Sequence, residues 1–315
     1  MSEAQATQKA FPVLITGGTG RLGRVLRQTW RRSDGARESD SGCYSAGYSD
    51  GDGLRPVWQA RRDVPGCLTW DILNDDCPEG AAGGIVLALA GGVNGTGADK
   101  GLNVALGLAA CHAAAAQGAQ HVFLASSAAV YGVSETDFNE DSVCAPVNAY
   151  GAAKLKMERA ALAWHRSAGA GAPGLTLLRI GNIAGLDALL GGAKPGLAVV
   201  LDPVAGQATG PVRSYIGPMT LASVLTRLAR LAASGAALPE VLNVAAPAPV
   251  GMAELLRATG LAWHFGPPNP AVIARVALDT ALLQGLVPLP STAATPSAMV
   301  AEWQEVHDAV QQTTA

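Results

Sequence analysis

A doubly wound α/β fold is what this 315-residue sequence predicts: a parallel sheet with helices on both faces and a small C-terminal lobe. Three observations carry that expectation. Short apolar runs alternate with helix-period segments through the first half, a pattern that right-handed crossovers turn into a parallel sheet. The first run ends in a glycine-rich turn, Thr16-Gly17-Gly18-Thr19-Gly20-Arg21-Leu22-Gly23. One run, residues 85–90, is apolar throughout, as a strand covered on both faces must be.

The elements follow in order. Residues 13–16 close the apolar run that starts at Phe11 and predict the first strand. Residues 21–31 put Leu22, Val25, Leu26 and Trp30 on one stripe, which predicts a helix on the sheet. Residues 33–53, rich in Gly, Ser and Asp, have almost nothing to bury and predict a mobile loop. Strands are expected over 54–60, 67–70 and 85–90. An alanine-rich helix over 102–117 ends at Gly118, and a strand follows over 121–125. A helix over 148–167 and a strand over 175–180 complete the alternation. Beyond Gly181 the chain breaks into Gly/Pro-rich loops, before a helix over 221–233 and a strand over 241–244 rejoin the sheet. The domain expectation is therefore a polar tail (1–10), a dinucleotide-binding domain (11–180, with 211–246 returning to it), and a substrate lobe (181–210 and 247–315).

Composition excludes several classes. Net charge is −3 and only 15% of residues are charged, so no basic surplus attracts nucleic acid or anionic lipid. The polar opening, Met1 to Ala10, predicts no export signal. The alanine-rich stretches at 104–116 and 221–237 fall short of a membrane span. Five cysteines (Cys43, Cys67, Cys77, Cys111, Cys144) lack CxxC spacing, which predicts free thiols, no zinc and a cytoplasmic setting. The five histidines show no metal spacing, and no metal is expected.

The glycine turn sits between a strand and a helix, where backbone N–H groups and the helix dipole favour a pyrophosphate. Gly17 makes the tight turn, Gly20 admits the backbone close to the ligand, and Gly23 lets the helix pack on the strand. Arg21 and Leu22 belong to the same cradle. The second strand decides the dinucleotide, since an acid at its end serves the NAD ribose and an arginine the 2′-phosphate of NADP. Here the run is Trp58-Gln59-Ala60-Arg61-Arg62-Asp63. Arg61 points to NADP; NAD is the alternative if Asp63 swings in or the arginines are only solvated loop charges.

Tyr150 and Lys154 share one helix face. A tyrosine needs help to exchange a proton near neutral pH, and a lysine one turn on stabilises its phenolate. Ser127, closing the strand over 121–125, lies at the carboxyl edge where ligands of open parallel sheets bind. Ser127, Tyr150 and Lys154 are the expected catalytic set.

On these motifs the sequence resembles the extended short-chain dehydrogenases/reductases, the NAD(P)-dependent epimerase/dehydratase group, which have a Rossmann-type sheet. TGGTGRLG is similar to the family's TGxxGxxG, Leu89-Ala90-Gly91 to its LA(A/G), and Asn103-Val104 to its Asn-Val helix start. Ser126 to Gly132 resembles SSxxVYG, and Asn148 to Lys154 resembles (N/S)xYGxxK. Leu178 to Gly185, Arg213 to Ile216 and Asn243-Val244 are similar to LRxxNxxG, RxYI and the later NV; Asp279 to Gly285 resembles DxSK…LG. The resemblance implies that Asp71 and Ile72 lie by the adenine, Leu89, Ala90 and Asn103 line the cofactor, and Ile180 and Ile183 face the nicotinamide. It implies that Ser127, Ala128, Asn182 and Arg213 face the substrate, Arg213 gripping a nucleotide-sugar phosphate.

Three departures matter. Ala128 and Ala129 replace the Asp-Glu pair of the 4,6-dehydratases. No RRxGD run precedes the DxSK segment, only Trp263 to Pro270, with Arg275 nearby; and Ala281-Leu282 replace Ser-Lys. His264, between Trp263 and Phe265, contacts substrate or simply packs. Tyr131 lines the pocket mouth or packs. The expected function is hydride transfer at a sugar or nucleotide-sugar carbinol with Tyr150 as acid/base, in a homodimer joined through the 102–117 and 148–167 helices. The alternatives are a reductase of a smaller carbonyl compound and a non-catalytic NADP sensor.

Overall fold

The computed structural model describes residues 11–32, 53–79, 81, 83–92 and 101–314. The polar tail, nearly all of the 33–53 loop, Cys43 and the Trp30 side chain lie outside the described residues.

Seven strands form one parallel sheet. They are β1 (Phe11–Thr16), β2 (Leu54–Ala60), β3 (Leu68–Thr69), β4 (Ile85–Ala88), β5 (His121–Ser127), β6 (Gly174–Ile180) and β7 (Val241–Val244), in the order β7-β6-β5-β4-β1-β2-β3. The order reverses between β1 and β4, so their carboxyl ends open a crevice there, the usual ligand site of such sheets. Successive residues alternate between two cores. Val13, Ile15, Ile85, Leu87, Phe123, Leu178 and Ile180 meet helices α1 (Arg21–Arg32) and α4 (Pro218–Ala233) on one face. Leu14, Val86, Leu124 and Leu177 meet α2 (Leu102–Ala116) and α3 (Ala149–Ala168) on the other. Continuous apolar strands are what two covered faces require. α2 and α3 pack so closely that a Cβ on Gly107 would stand 2.8 Å from Met157 Cγ. Ala113 of α2 is buried in this core; Ala105, Ala116 and Ala163 are exposed.

A smaller core lies beyond β6. It gathers Leu189, Leu190, Leu201, Tyr215, Leu255, Leu256 and Met299, drawing on α5 (Met252–Thr259) and α7 (Pro296–Thr314), which flank the short α6 (Ala281–Leu286) in sequence. α4 begins at Pro218, three residues before the sequence pattern suggested. Pro fits that first helical position because it has no N–H to leave unpaired. The Met219 and Thr220 N–H groups donate to Glu302 of α7 (2.9 and 2.8 Å), and the Thr220 hydroxyl donates to the same carboxylate (2.5 Å). A half-buried carboxylate from far along the chain thus caps this helix, satisfying orphan donors and meeting the positive dipole end. Burial pushes the Glu302 carboxyl above its ordinary range, against these hydrogen bonds.

Candidate active site

The glycine turn is built as its residue types require. Gly17 has a left-handed φ of +72°, and a Cβ there would stand 2.8 Å from Ala90 N. A Cβ on Gly23 would stand 2.3 Å from Gly17 O, and one on Gly20 3.1 Å from the same oxygen. The turn is propped by Gln59, a buried residue that sequence reasoning had passed over. Its Oε1 accepts from Gly17 N (3.1 Å), its backbone carbonyl accepts from Gly18 N (3.1 Å), and its Nε2 donates to Trp70 O (2.5 Å). A polar side chain at an inward strand position is the signal that could have found it. Leu22 is half-buried. Arg21 is exposed and donates to Leu186 O (2.6 Å), tying the turn to the segment after β6.

Around this cradle, Leu89 and Ala90 leave the end of β4, with Leu89 N donating to Thr16 O (3.3 Å). Asn103 is buried at the start of α2; its Nδ2 donates to Gly92 O (3.3 Å), while its Oδ1 has no hydrogen-bond partner among the described residues. Arg61 and Arg62 are exposed after β2. Asp71 accepts from Asn74 Nδ2 (3.0 Å) and Leu73 N (3.1 Å), which hold its carboxyl below the ordinary value, with Arg61 adding a smaller pull. Ile72 is buried beside it, as is Ile180 at the end of β6; Ile183 is half-buried. A turn that excludes any Cβ, an orphaned buried amide oxygen and an arginine pair fit a bound dinucleotide.

The Ser/Tyr/Lys set converges on the end of β5. Tyr150 is half-buried and lies beside Ser127. Burial pushes its phenol above 10, while the nearby Ser127 hydroxyl and the Arg21 charge draw it back. Lys154 is buried and donates to Ala125 O (2.7 Å). Burial pulls its ammonium down to about 8, with the Glu158 carboxylate acting in the opposite direction. Desolvation is the largest influence on the phenol, and the ammonium is engaged by the strand carbonyl. Ser127 also caps the short helical turn over 128–130, accepting from Ala129 N (3.2 Å). Ala128, buried, and Ala129 offer no acid or base at this edge.

Behind the set runs a polar chain that the sequence did not announce. Ser126 Oγ donates to Glu158 Oε1 (2.5 Å), and Glu158 accepts three N–H bonds from Arg179 (2.8–3.3 Å). Arg179 also donates to the Tyr131 hydroxyl (2.9 Å), which donates to Asn243 Oδ1 (2.7 Å). Tyr131 is 1% exposed, so it serves this network rather than a pocket mouth. Glu140 joins too: its carbonyl accepts from Arg179 and its carboxylate from Asn243 N. An acid on the apolar face of α3, among Leu155, Met157 and Ala161, was the readable signal.

The remaining residues are spread over the lobe. Asn182 stands opposite Tyr215 in a short parallel strand pair, and Tyr215 donates to Asp187 Oδ2 (2.6 Å). Arg213 is half-buried and donates to Val212 O and Ile273 O (both 2.7 Å); no carboxylate pairs with it among the described residues. Arg275 pairs with Asp137. His264 is exposed on the strand Trp263–Phe265, which pairs with Val199–Leu201. No hydrogen bond or ion pair among the described residues joins it to the Ser127–Tyr150 cluster. Among the described residues, no group of three or more His, Cys, Asp or Glu could hold a metal, and no helix is long and apolar enough to cross a membrane.

A family model described as "NAD dependent epimerase/dehydratase family" matches residues 13–187. No curated protein matches the chain. Solved structures are similar along nearly the whole length. MoeE5, in complex with UDP-glucose and NAD, is 21% identical with a TM-score of 0.70, over 95% of this chain and 99% of that one. TunA, an NAD-dependent NDP-hexosamine 5,6-dehydratase of tunicamycin biosynthesis, is 18% identical with a TM-score of 0.70, over 95% and 98%. A UDP-glucose-4-epimerase from Stenotrophomonas maltophila, with bound NAD and formylated UDP-arabinopyranose, is 19% identical with a TM-score of 0.70, over 96% and 99%. At these identities the likeness is one of fold.

Proposed function

Since the chain belongs to the NAD dependent epimerase/dehydratase family, we propose that it is an NAD(P)-dependent enzyme oxidising and reducing a carbinol of a sugar or nucleotide sugar, with Tyr150 as acid/base. The observation that carries this reading is the gathering of Tyr150 beside Ser127 at the carboxyl edge of β5, one helical turn from buried Lys154, whose ammonium donates to Ala125 O of the same strand end.

Ser127 holds the substrate hydroxyl oxygen and shares its hydrogen bond with Tyr150. The phenolate form of Tyr150 takes the hydroxyl proton as the carbinol becomes a carbonyl, and the phenol returns it in the reverse direction. A bound nicotinamide supplies the hydride acceptor in one direction and the donor in the other. Lys154 holds the nicotinamide ribose and keeps positive charge near the phenolate. The Gly17–Gly23 backbone, with Arg21, holds the pyrophosphate; Asp71 and Ile72 flank the adenine; Leu89, Ala90, Asn103, Ile180 and Ile183 line the rest. The exposed Arg61 supports NADP(H), with NAD as the alternative. Asn182 and Arg213 meet the substrate, and an arginine free of carboxylate partners suits a phosphate. Ala128 and Ala129 supply no proton donor or acceptor, so a 4-keto-6-deoxy product is not expected. Exposed Ala105, Ala116 and Ala163 on α2 and α3 support a homodimer through those helices.

The test is to incubate the protein with NAD or NADP and a panel containing UDP-glucose, UDP-glucuronic acid, free hexoses and sugar acids. Nicotinamide absorbance reports net oxidation and NMR of the sugars reports epimerisation. Turnover of a nucleotide sugar supports the reading; turnover confined to small carbonyl compounds would replace it with a simple reductase.

A further inference from the structure

Three consecutive residues at the end of β5 each meet a residue of α3. The Ala125 carbonyl accepts from Lys154, Ser126 Oγ donates to Glu158, and Ser127 lies beside Tyr150. The three helix residues are spaced four apart and so share one face. Two of them form the proposed proton-transfer set; the third is unassigned. Glu158 is 1% exposed, and its carboxylate is shared between Ser126 of β5 and Arg179 of β6, residues that stand opposite each other in the sheet register.

We infer that Glu158 is a positioning residue for proton transfer, locking α3 to the ends of β5 and β6 and keeping a negative charge one turn from Lys154. This rests on the reading of Tyr150 and Lys154 as the proton-transfer pair. Two things follow from the geometry. A carboxylate bonded to both strands allows α3 one register, the one that brings Tyr150 to Ser127. The same carboxylate also faces the buried ammonium. The other groups around Lys154 are Tyr150 on its own helix, Ala125 O on β5, and uncharged Gly91 and Asn103 from the β4 and α2 side. Behind Glu158 stand Arg179, Tyr131, Glu140 and Cys144. Burial pulls the Lys154 ammonium down and Glu158 opposes that pull, the balance lying at about 8, so the carboxylate keeps more of the ammonium charged near neutral pH.

A purely structural ion pair would hold the helix without setting the Lys154 charge, and the two roles separate by titration. The chain contains five lysines (Lys9, Lys100, Lys154, Lys156, Lys194), so 13Cε-lysine labelling gives few NMR signals, and Lys154→Arg assigns the one of interest. In the full-length wild type, the Lys154 midpoint lies well below the others. Glu158→Gln keeps an acceptor for Ser126 but removes the charge. It is expected to lower that midpoint by about one pH unit and to move the alkaline limb of the pH–activity profile by the same amount. Glu158→Asp, which keeps the charge, retains the wild-type midpoint. If Glu158→Gln does not fold because Arg179 is left unpaired, Glu158→Gln/Arg179→Gln removes both charges and is expected to lower the midpoint too. A wild-type midpoint in either folded charge-removing variant overturns the inference. Tyr150→Phe tests the catalytic reading separately, because it removes turnover without involving Glu158.

Discussion

His121 opens β5 at the edge of the sheet opposite the crevice, with 7% of its surface exposed. Its ring nitrogen Nε2 lies 2.9 Å from Thr176 Oγ1, which in turn donates to Pro239 O (2.7 Å). That second bond makes Thr176 the acceptor of the first, so Nε2 carries a proton. Burial, with a smaller contribution from His165, pulls its pKa from 6.5 down to about 4. In the unfolded chain His121 takes a proton as pH falls through 6.5; in the folded protein it does not until about pH 4. Stability is therefore complete above 6.5 and is lost as pH falls across that window. At about 1.4 kcal/mol per pH unit the loss from this one residue approaches about 3 kcal/mol. Half-buried acids such as Asp187 and Glu302, whose carboxyls are pushed upward, contribute the opposite trend. A variant comparison cancels them. His121→Gln can still donate to Thr176 but cannot titrate. Urea unfolding at pH 7.5, 6.5, 5.5 and 4.5 should show the wild type losing about 3 kcal/mol relative to the variant. Parallel stability curves for the two proteins would refute the argument.

Other predictions concern the site and the assembly. Tyr150→Phe should reduce turnover about 10²- to 10⁴-fold while cofactor affinity, measured by calorimetry, stays near wild type; activity within a few-fold of wild type removes Tyr150 as acid/base. Arg61→Ala should weaken NADP binding and leave NAD binding unchanged, and tighter NAD binding in both proteins would reverse the cofactor assignment. Gly23→Ala places a methyl 2.3 Å from Gly17 O; overpacking of about 1–3 kcal/mol should reduce dinucleotide affinity by about tenfold or more, and unchanged affinity would show that the turn does not hold the cofactor. Light scattering at micromolar concentration should give a dimer mass that Ala109→Glu, on half-buried surface of α2, converts to a monomer mass; a wild-type monomer counts against the interface.

Much of the sheet was legible in the sequence because its signals are local. β2 and β7 match their expected spans, and α3 differs by one residue at each end, since continuous apolar runs and glycine breaks state their own limits. The glycine turn and the Tyr150–Lys154 spacing were equally local. What could not be read depends on pairing across the chain. Gln59 reaches Trp70 O across β2 and β3, Glu158 meets Arg179 from another element, and Glu302 finds α4 from 82 residues away. Single-residue readings such as Tyr131 at a pocket mouth fail for the same reason: a phenol's role depends on the Arg179 and Asn243 groups brought to it by other strands.

The Glu302 cap has a consequence for synthesis. A chain emerging amino end first exposes Met219 and Thr220 to solvent long before the carboxylate that receives them has been made, because the two are 82 residues apart along the chain. Until then the start of α4 is satisfied only by water, and the sheet face it covers is held by an incompletely fixed helix. α7 therefore acts as a latch that closes only after residue 302 has been made. A ribosome-stalled chain ending before α7 should be cut by protease near Pro218, at a site that the finished protein protects.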